Sequence, residues 1–507
     1  MGLQPVKIDL KIYMTAMNLK LWIAMGLAII LLMRCEFESP KKPNVLFIIV
    51  DQFRPDISAA LGGGKNISTP NIDKLANSGV IFDNAVSTVP VCTPFRGMVM
   101  TGNYPTHTGI VVNFVNATTD FYEHTLGELF NKAGYKTGFI GKWHLGAGGW
   151  TNYGDEPRGI LGIDRIDNFI EPGPGRLGFD DYWAAYNFHM TFNDYYYWKD
   201  HPDSVQTSAY ETDVQVNQAI EFMGKQNEGS DPFFLVLSTH PPHPPFSEEA
   251  TPAGYLEQIP DSIIWDPNVP KDNPQTLEAM RSYLAMAKNV DDNVGRILNF
   301  LEESGLDNNT IVVFTSDHGE MHGSHGYLHK QKPYREALNV PVIYRLPESQ
   351  AEGIHKGVPF TPMDHLPTLC KLAGIKLPTK KDGIDLSEVI RSDSVDFSRP
   401  VLIGNYVSNY NTFSTRKPFL EWRGVYTGQF TYIKWIDGEE ELYENHVDPY
   451  QLNNLIGSHS HKGIAKEMRL KLQELLNEAD DEFLPGTAYA SWFDELRYPK
   501  MEVILGE

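Results

Sequence analysis

Two pairs of polar residues lie at or just beyond the ends of apolar stretches of this chain. Asp51 and Gln52 follow one stretch, and Asp317 and His318 follow another. Carboxylate and amide oxygens are the ligands that a hard divalent cation such as Ca²⁺ or Mg²⁺ prefers, whereas the imidazole of His318 suits a softer metal or contributes through its position. The two pairs are therefore candidate metal ligands. The alternative is that each aspartate only caps a helix or a turn.

Cys92 is a candidate nucleophile. It begins the segment CTPFR (residues 92–96), which opens a stretch with a helical pattern. A nearby arginine and a helix N-terminus both favour the thiolate, so the segment predicts a lowered pKa for Cys92. The residue types alone leave open whether Cys92 is a reactive thiolate or a structural cysteine. One disulfide with Cys370 is compatible with the three cysteines of the chain, but a disulfide framework is not.

Further cationic and imidazole side chains lie just after apolar stretches or in the segments that follow them. Lys142 is either a functional cation or a solvated lysine at a strand end, and a histidine in such a position is either a proton-transfer group or a structural residue. The candidates are Lys142, His144 and His243, with His240, His322, His325 and His329 interpreted as mainly structural or adjacent to a substrate.

The elements that must position these residues alternate between strands and helices. Four continuous apolar stretches predict strands that are buried on both faces, at Asn44–Val50, 136–140, 233–237 and 311–314. Helical patterns lie between them, at 71–78, 124–133, 211–224 and 275–304. The alternation predicts an α/β fold with a large mixed, mostly parallel sheet sandwiched by helices. In such sheets the polar residues at the carboxyl ends of the strands gather at one edge, where ligands bind.

The pattern of predicted elements changes near residue 399. Short strand patterns at 401–405, 422–427 and 430–435 are separated by turn residues, and a helical pattern covers 464–479. We therefore expect a large domain over residues 44–398 and a smaller C-terminal α+β subdomain with an antiparallel sheet over 399–507.

Composition limits the partners of the chain. Its 507 residues carry 43 Lys+Arg against 65 Asp+Glu, a formal net charge of -22. Such a chain repels nucleic acid and anionic membranes on average, so an anionic substrate requires a locally positive pocket. An aromatic-rich stretch at 182–198 is interpreted as a core layer or a lid, with stacking on sugar rings as the alternative.

Residues 1–35 have the pattern of a secretory signal. Lys20 precedes an apolar stretch at 21–33 that is short for a membrane span. The expected location is therefore secreted or periplasmic. Cys35 lies at the end of this leader, and a lipid attached to it is the only link to a membrane that we expect. The alternative is that the apolar stretch is a membrane-anchoring helix.

The segment 92–96 resembles the Cys-x-Pro-x-Arg signature of the formylglycine-dependent sulfatases, which belong to the alkaline phosphatase superfamily. The usual form of the signature has serine where this chain has Phe95. The resemblance implies that a formylglycine-generating enzyme oxidises Cys92 to formylglycine (3-oxoalanine). It also implies that Arg96 holds the hydrate of this aldehyde.

Other segments resemble the same family in order and spacing, over nearly the whole chain after residue 43. The resemblance implies one Ca²⁺ bound by Asp51, Gln52, Asp317, His318 and the modified Cys92. The segment GKWH (residues 141–144) is similar to the family's sulfate-binding lysine, Lys142, and its histidine, His144. His243 matches the histidine of a histidine-proline segment. Lys330, 13 residues after Asp317, matches a second sulfate-contacting lysine, with Lys332 as the competitor.

The resemblance also implies a mechanism for the hydrolysis of sulfate esters, which in this family are often those of sulfated carbohydrates. One hydroxyl of the hydrate, relieved of its proton by Asp317, attacks sulfur. His243 with Lys330 protonates the leaving alcohol. His144 then takes the proton of the second hydroxyl, so that sulfate is expelled and the aldehyde returns.

Other functions remain open at this point. A phosphonate monoester hydrolase or phosphodiesterase of the same superfamily would use the same groups. If Cys92 is never oxidised, the chain is a glycan-binding protein without catalysis, or a phosphatase-like enzyme that uses Thr93 or the unmodified thiol.

Overall fold

The computed structural model describes residues 41–113, 116–120, 122–146, 169–273, 275–347, 353–392, 397–406 and 421–488. The predicted signal and Cys35 lie outside these ranges. Among the described helices, none has the length and apolar character needed to cross a bilayer. The described residues from Pro43 onward belong to one compact unit.

A large sheet forms the centre of this unit, and within the described residues it has eight strands. These are β1 (Asn44–Val50), β2 (Val80–Phe82), β3 (Lys136–Lys142), β4 (Tyr182–Tyr186), β7 (Phe233–Thr239), β8 (Thr310–Ser316), β9 (Val342–Arg345) and β10 (Ile354–Lys356). Strands β5 (Tyr196–Tyr197) and β6 (Val205–Gln206) form a separate two-stranded ribbon. The order across the sheet is β10-β2-β9-β8-β1-β7-β3-β4. Only β9 runs antiparallel to its neighbours, so the prediction of a mixed, mostly parallel sheet is confirmed.

Strand β1 lies at the centre of the sheet because its sequence, NVLFIIV, is apolar on both faces. It pairs in parallel with β7 and β8. The register places Val50 opposite Thr239 on one side and Ser316 on the other. The carboxyl ends of three strands therefore stop at the same level, and the residues that follow them share one edge.

Helices cover both faces of the sheet. They are α1 (Pro70–Asn77), α2 (Cys92–Thr101), α3 (Pro105–Thr108), α4 (Leu126–Lys132), α5 (Glu211–Asn227), α6 (Leu277–Glu303), α7 (Arg335–Leu338), α8 (His365–Leu372) and α9 (Ser387–Arg391). Alternate residues of β1 serve the two sides: Phe47 packs in the core that α2, α4 and α8 close, and Ile48 in the core that α1, α5 and α6 close. Burial on both sides explains why the strand patterns are continuously apolar.

A second, antiparallel sheet follows in sequence. Its strands are β11 (Val401–Asn405), β12 (Trp422–Tyr426), β13 (Phe430–Trp435) and β14 (Glu440–Glu444), and helix α10 (Lys462–Glu478) packs against it. The predicted C-terminal antiparallel sheet is thus confirmed. The domain boundary between residues 398 and 399 stays a prediction.

The aromatic-rich stretch at 182–198 supplies core residues. Trp183, Tyr186, Tyr195 and Trp198 are all buried. Trp183 stacks on Phe139 of the neighbouring strand, with ring centroids 5.4 Å apart. The core interpretation therefore holds for these rings.

Candidate active site

The polar residues after β1 and β8 meet at the edge of the large sheet. The backbone N–H of Asp51 donates to the carbonyl of Thr239 at 3.0 Å, which continues the pairing with β7 by one residue. The chain then turns at Gln52, where φ is 64°, and the N–H of Gln52 donates to Oδ1 of Asp317 at 3.0 Å. The two pairs predicted to bind a metal are thus in direct contact.

Cys92 joins the two pairs in one buried cluster. Asp51, Cys92, Asp317 and His318 each offer one ligand atom, and these atoms all lie within 4.8 Å of one another. Nδ1 of His318 faces the carbonyl of Gly319 at 3.0 Å and must donate to it. When the ring is neutral, the lone pair of Nε2 therefore faces the cluster, 3.3 Å from Sγ of Cys92.

Two lysines approach the sulfur of Cys92 from different segments. Nζ of Lys142 lies 3.7 Å from Sγ and 2.6 Å from Oδ2 of Asp51. Nζ of Lys330 lies 3.0 Å from Sγ and 3.1 Å from Oε1 of Gln52. Each ammonium group thus contacts both the sulfur atom and an oxygen of the residues that follow β1.

Lys332, the competitor of Lys330, has different surroundings. Its Nζ lies over the ring of Tyr327, 4.7 Å from the centroid. Burial lowers the pKa of Lys332 to about 8. Of the two lysines, the geometry therefore brings Lys330 to Cys92.

Arg96 connects helix α2 to the strand ends. One guanidinium nitrogen donates to the carbonyl of Lys142 and to Oγ of Ser238, both at 2.7 Å. The other lies 3.3 Å from Oδ2 of Asp51 and 3.5 Å from Oδ2 of Asp317. Ser238 was not singled out from the sequence as a site residue, although its position at the polar end of β7 was a signal for it.

The surroundings of Cys92 stabilise a thiolate. Cys92 is the first residue of α2 and is buried. Burial and the carboxylate of Asp51 raise its pKa, but the ammonium groups of Lys142 and Lys330 outweigh them, and the pKa of Cys92 falls below its usual range. Neither Cys92 nor Cys370 is in a disulfide, so that alternative is wrong. Cys370 is a buried thiol of α8, and burial raises its pKa to about 12.

His144 is fixed next to the segment that begins at Cys92. Its carbonyl accepts a hydrogen bond from Oγ1 of Thr93 at 2.7 Å, and its N–H donates to the carbonyl of Asn187 at 2.9 Å. Its ring stacks on Phe188, with centroids 4.7 Å apart. Burial, reinforced by the charge of Lys142, holds the pKa of His144 well below its usual range, so the ring is neutral at pH 7.

His243 also contacts Phe188, with the two rings nearly perpendicular. Its ring centroid is 6.0 Å from that of Phe188 and 4.6 Å from that of His240. Nδ1 donates to the carbonyl of Pro244 at 2.8 Å, which leaves the lone pair on Nε2 in the neutral ring. Burial and then the charge of Lys330 hold the pKa of His243 well below its usual range.

The oxygen atoms of the cluster fit a divalent cation. Oδ1 of Asp51 is buried and has no hydrogen-bond partner among the described residues. A buried carboxylate oxygen without a partner is costly, and a bound cation removes that cost. The carboxylates of Asp51 and Asp317 and the amide oxygen of Gln52 are the donors that a hard cation takes, with the imidazole of His318 beside them.

Glu320 is a site residue that sequence reasoning missed. Its carboxylate accepts a hydrogen bond from Nε2 of Gln52 and another from the backbone N–H of His322, at 3.2 Å. The first contact fixes which end of the Gln52 amide faces the cluster.

Two of the histidines interpreted as structural pack against tyrosines. The ring of His322 packs edge-on against Tyr283, and that of His325 stacks on Tyr334, both with centroids 4.1 Å apart.

Comparison with known proteins gives one consistent result. The profile of the family described as Sulfatase matches residues 43–375, and that of N-sulphoglucosamine sulphohydrolase, C-terminal, matches residues 323–478. An ulvan-active sulfatase of Formosa agariphila is 35% identical over 88% of this chain and 83% of its own length. An endo-4-O-sulfatase of Bacteroides thetaiotaomicron is 28% identical over 88% of this chain and 94% of its own length.

A solved structure agrees with these relatives. The crystal structure of yidJ from Bacteroides fragilis, assigned to the sulfatases, superimposes with a TM-score of 0.75 at 28% identity, over 90% of this chain and 99% of the other. Membership of this family implies a metal-ion site and a modified cysteine, and the buried cluster of two aspartates, histidine and Cys92 has the residues for both. The chain therefore belongs to the sulfatase family of the alkaline phosphatase superfamily, and it is a sulfuric ester hydrolase.

Proposed function

We propose that this enzyme hydrolyses sulfate esters of a sulfated carbohydrate, through a formylglycine hydrate made from Cys92 and with one bound Ca²⁺. The observation that carries the proposal is the position of two ammonium groups, of Lys142 and Lys330, at 3.7 and 3.0 Å from Sγ of Cys92. The names of the relatives support the substrate class, since one acts on ulvan.

The lysines account for recognition of the sulfate group. A sulfate monoester carries one negative charge, spread over its non-bridging oxygens. Lys142 and Lys330 face the position of the nucleophile from two directions and would bind these oxygens while the bond to the alcohol breaks. Lys142 is fully buried and Lys330 is half-buried. Because both ammonium groups are already in place, they stabilise developing charge without reorganisation.

The modified residue and the metal supply chemistry that an ordinary side chain lacks. When bound, Ca²⁺ would polarise the hydrate of the formylglycine, and the two hydroxyls on one carbon allow sulfate to be released again after transfer. Asp51, Gln52, Asp317 and His318 would hold the ion. Arg96 fixes this arrangement from behind, because it contacts both carboxylates.

The two histidines are assigned to the proton transfers. Asp317 is the acceptor of the proton that the attacking hydroxyl loses. His144 is neutral at pH 7 and is suited to accept a proton in the step that releases sulfate. His243, together with Lys330, protonates the leaving alcohol. An anionic substrate adds negative charge beside His243, which raises its pKa in the complex relative to the free site.

Maturation requires a second protein. A formylglycine-generating enzyme would oxidise Cys92 before the site closes around it, since Cys92 is buried in the folded chain. The expected route is secretion to the periplasm or the outside of the cell, directed by residues 1–35.

The experiment compares protein produced with and without a formylglycine-generating enzyme. Mass spectrometry of the peptide that contains Cys92 gives the fraction of aldehyde, and activity is measured on an aryl sulfate. Activity should rise in proportion to that fraction and should vanish in Cys92→Ala. Turnover by unmodified protein, or by Cys92→Ala, would show that the nucleophile is another group.

Two further arms test the substrate and the metal. An aryl phosphonate assayed in parallel should be the poorer substrate; a higher kcat/KM for it would favour the phosphonate hydrolase. Defined sulfated mono- and oligosaccharides should exceed the aryl sulfate in kcat/KM. EDTA should remove activity and Ca²⁺ should restore it. Restoration by Mg²⁺ or Zn²⁺ alone would contradict the assignment of calcium.

A further inference from the structure

A second cluster of metal-ligating side chains lies near the active site without sharing any residue with it. His189 follows β4, Glu211 begins α5, and His240 follows β7. One nitrogen or carboxylate oxygen from each lies within 4.8 Å of the others. All three side chains are buried, with relative exposures of 3%, 0% and 0%.

Polar atoms of this cluster have no hydrogen-bond partner among the described residues. They are Oε2 of Glu211 and both ring nitrogens of His240. Buried polar atoms in folded proteins are nearly always paired with protein atoms, water or an ion. Three orphaned atoms at one place therefore indicate that something other than the protein fills it.

The carboxylate of Glu211 is oriented for an occupant. Its Oε1 accepts hydrogen bonds from the hydroxyl of Tyr186 and from Nε2 of Gln215, the latter at 2.8 Å. These donors fix the plane of the carboxylate and leave Oε2 unused. Ligands of bound metals are held by outer hydrogen bonds in the same way. Burial raises the pKa of Glu211 to about 8, and a cation would supply the charge that stabilises the ionised form.

We propose that His189, Glu211 and His240 form a second metal site, for a divalent transition-metal ion of the Zn²⁺ class. Two imidazoles and one carboxylate are a frequent ligand set of Zn²⁺, whereas Ca²⁺ takes oxygen ligands almost exclusively. The chemistry of the donors therefore separates this site from the cluster around Asp51, which is rich in oxygen.

The other occupant to consider is an ordered water molecule. Nδ1 of His189 accepts a long hydrogen bond, 3.3 Å, from the N–H of Thr191. A water leaves this hydrogen bond intact. Coordination of a metal at Nε2 instead moves the proton of the ring to Nδ1, and Nδ1 can then no longer accept from Thr191. The two occupants thus predict different results when metal is added.

The site has a consequence for the active site. The ring of His240 lies 4.6 Å from that of His243, the residue assigned to protonation of the leaving alcohol. An ion that fixes His240 also fixes one wall of the space that His243 occupies. The role of the second ion is therefore to position His240 and, through it, His243. Binding of this ion can be measured without an activity assay.

The test uses full-length Cys92→Ser protein, which removes the thiol from the calcium cluster, in the presence of excess Ca²⁺. Co²⁺ is added as a spectroscopic probe and Zn²⁺ as its competitor. We expect one Co²⁺ per chain, with visible absorption bands of low-symmetry coordination that Zn²⁺ abolishes. Glu211→Gln in the same background should weaken Co²⁺ binding at least tenfold, because it removes the charged ligand.

Two variants make the result specific. Glu336→Gln is the matched control: Glu336 is also a buried glutamate whose Oε2 lacks a hydrogen-bond partner among the described residues, but it lies outside the cluster. It should leave Co²⁺ affinity unchanged. Asp317→Asn should likewise leave Co²⁺ binding unchanged, since it alters only the calcium cluster.

Three outcomes would overturn the proposal. One is the absence of Co²⁺ binding at millimolar metal, which assigns the space to water. The others are binding that survives Glu211→Gln and binding that Asp317→Asn abolishes. If the melting temperature shows that Glu211→Gln is unfolded, His240→Gln takes its place with the same expected loss.

Discussion

Lys330 and Lys332 are only two residues apart, but Lys330 contacts polar groups of the active site and Lys332 contacts an aromatic ring. Lys330 contacts the sulfur of Cys92 and the amide oxygen of Gln52. Lys332 is buried against the ring of Tyr327. Both are lysines in one loop, so the pair allows the effect of position to be separated from the effect of charge.

We expect Lys330→Met to lower kcat/KM for a sulfate ester by about 10²–10³-fold, the usual cost of removing one donor that stabilises transition-state charge. Lys332→Met, which keeps an apolar side chain of similar length over Tyr327, should lower it less than about tenfold. Steady-state kinetics on one substrate, with melting temperatures for both proteins, checks the prediction. A larger loss in Lys332→Met would reassign the sulfate-binding lysine.

Residue types in order along the chain predicted Asp51, Cys92, Lys142 and Asp317 as candidates, and the structure brings all four within a few ångströms of one another. Their supporting residues were harder to predict. Glu320 becomes the partner of Gln52 only when β1 and β8 are adjacent, and a sequence separation of 268 residues carries no local signal for that contact.

At the scale of elements, the spacing between β3 and β7 is set by a glycine. Gly141 has a φ of +99°, and a Cβ built there would lie 2.1 Å from the carbonyl oxygen of Ser238. The next residue is Lys142, so the close approach of the two backbones determines where its ammonium group lies. Gly134 also has a positive φ, +83°, but a Cβ there meets nothing within 4 Å.

The two glycines therefore give a matched pair. Gly134→Ala should lower the free energy of unfolding by about 1–2 kcal/mol, which is the cost of holding a residue with a Cβ in the left-handed conformation. Gly141→Ala should cost that amount plus about 1–3 kcal/mol for the contact with Ser238, and it should also lower kcat/KM because Lys142 is displaced. Urea denaturation and kinetics measure both quantities. Equal effects of the two substitutions would show that the contact relaxes freely.

Helix α8 carries a buried histidine that makes stability depend on pH. His365 packs against Phe47 and Phe360, with ring centroids 4.9 and 4.7 Å away, and its Nδ1 accepts a hydrogen bond from the hydroxyl of Tyr344 at 2.7 Å. Burial lowers the pKa of His365 to about 3, from 6.5 in a solvated chain. Between these values the unfolded state binds a proton that the folded state does not.

Stability should therefore fall as the pH drops below 6.5, and His365 should contribute about 1.4 kcal/mol for each pH unit down to its folded-state pKa. The double variant His365→Phe/Tyr344→Phe removes the titrating group together with its hydrogen-bond donor. Its free energy of unfolding, measured by urea denaturation from pH 7 to pH 4.5, should have a shallower pH dependence by that amount. An unchanged slope would mean that the folded state protonates His365.

The sequence predicted long buried strands well and short strands poorly. The bounds of β1 match the prediction, because an apolar stretch buried on both faces has a clear pattern. Strand β8 extends two residues further, to Ser316, because parallel pairing with Val50 continues into polar residues. Strands β9 and β10 were not predicted: they contain four and three residues, too few for a period to be visible.

For the whole molecule, charge and connectivity act together. The chain has a net charge of -22, yet Arg96, Lys142 and Lys330 gather at one buried site. These cations supply the positive charge that an anionic substrate needs in its pocket, beside the carboxylates of Asp51 and Asp317. Composition predicted the need for such a pocket, and only folding could bring its three cations together.

The second sheet is connected to the active site through a shared core. Residues of β11, β12 and β13 pack in one cluster with residues of the segment 321–338, which contains Lys330. Within it, Nε1 of Trp422 donates to the carbonyl of Gln331 at 3.0 Å. The loop that carries Lys330 is therefore held from outside the large sheet.

Trp422 and Trp435 allow this connection to be tested. Both are buried, and Nε1 of Trp435 makes a similar hydrogen bond, 2.8 Å long, but to Glu441 within the second sheet. Each Trp→Phe change should cost about 1–3 kcal/mol of the free energy of unfolding, because the buried carbonyl of Gln331 or the half-buried carboxylate of Glu441 loses its donor. Only Trp422→Phe should also lower kcat/KM, by several-fold, since it frees the carbonyl next to Lys330. Equal kinetic effects, or none in Trp422→Phe, would mean that the second sheet stabilises the fold without positioning the lysine.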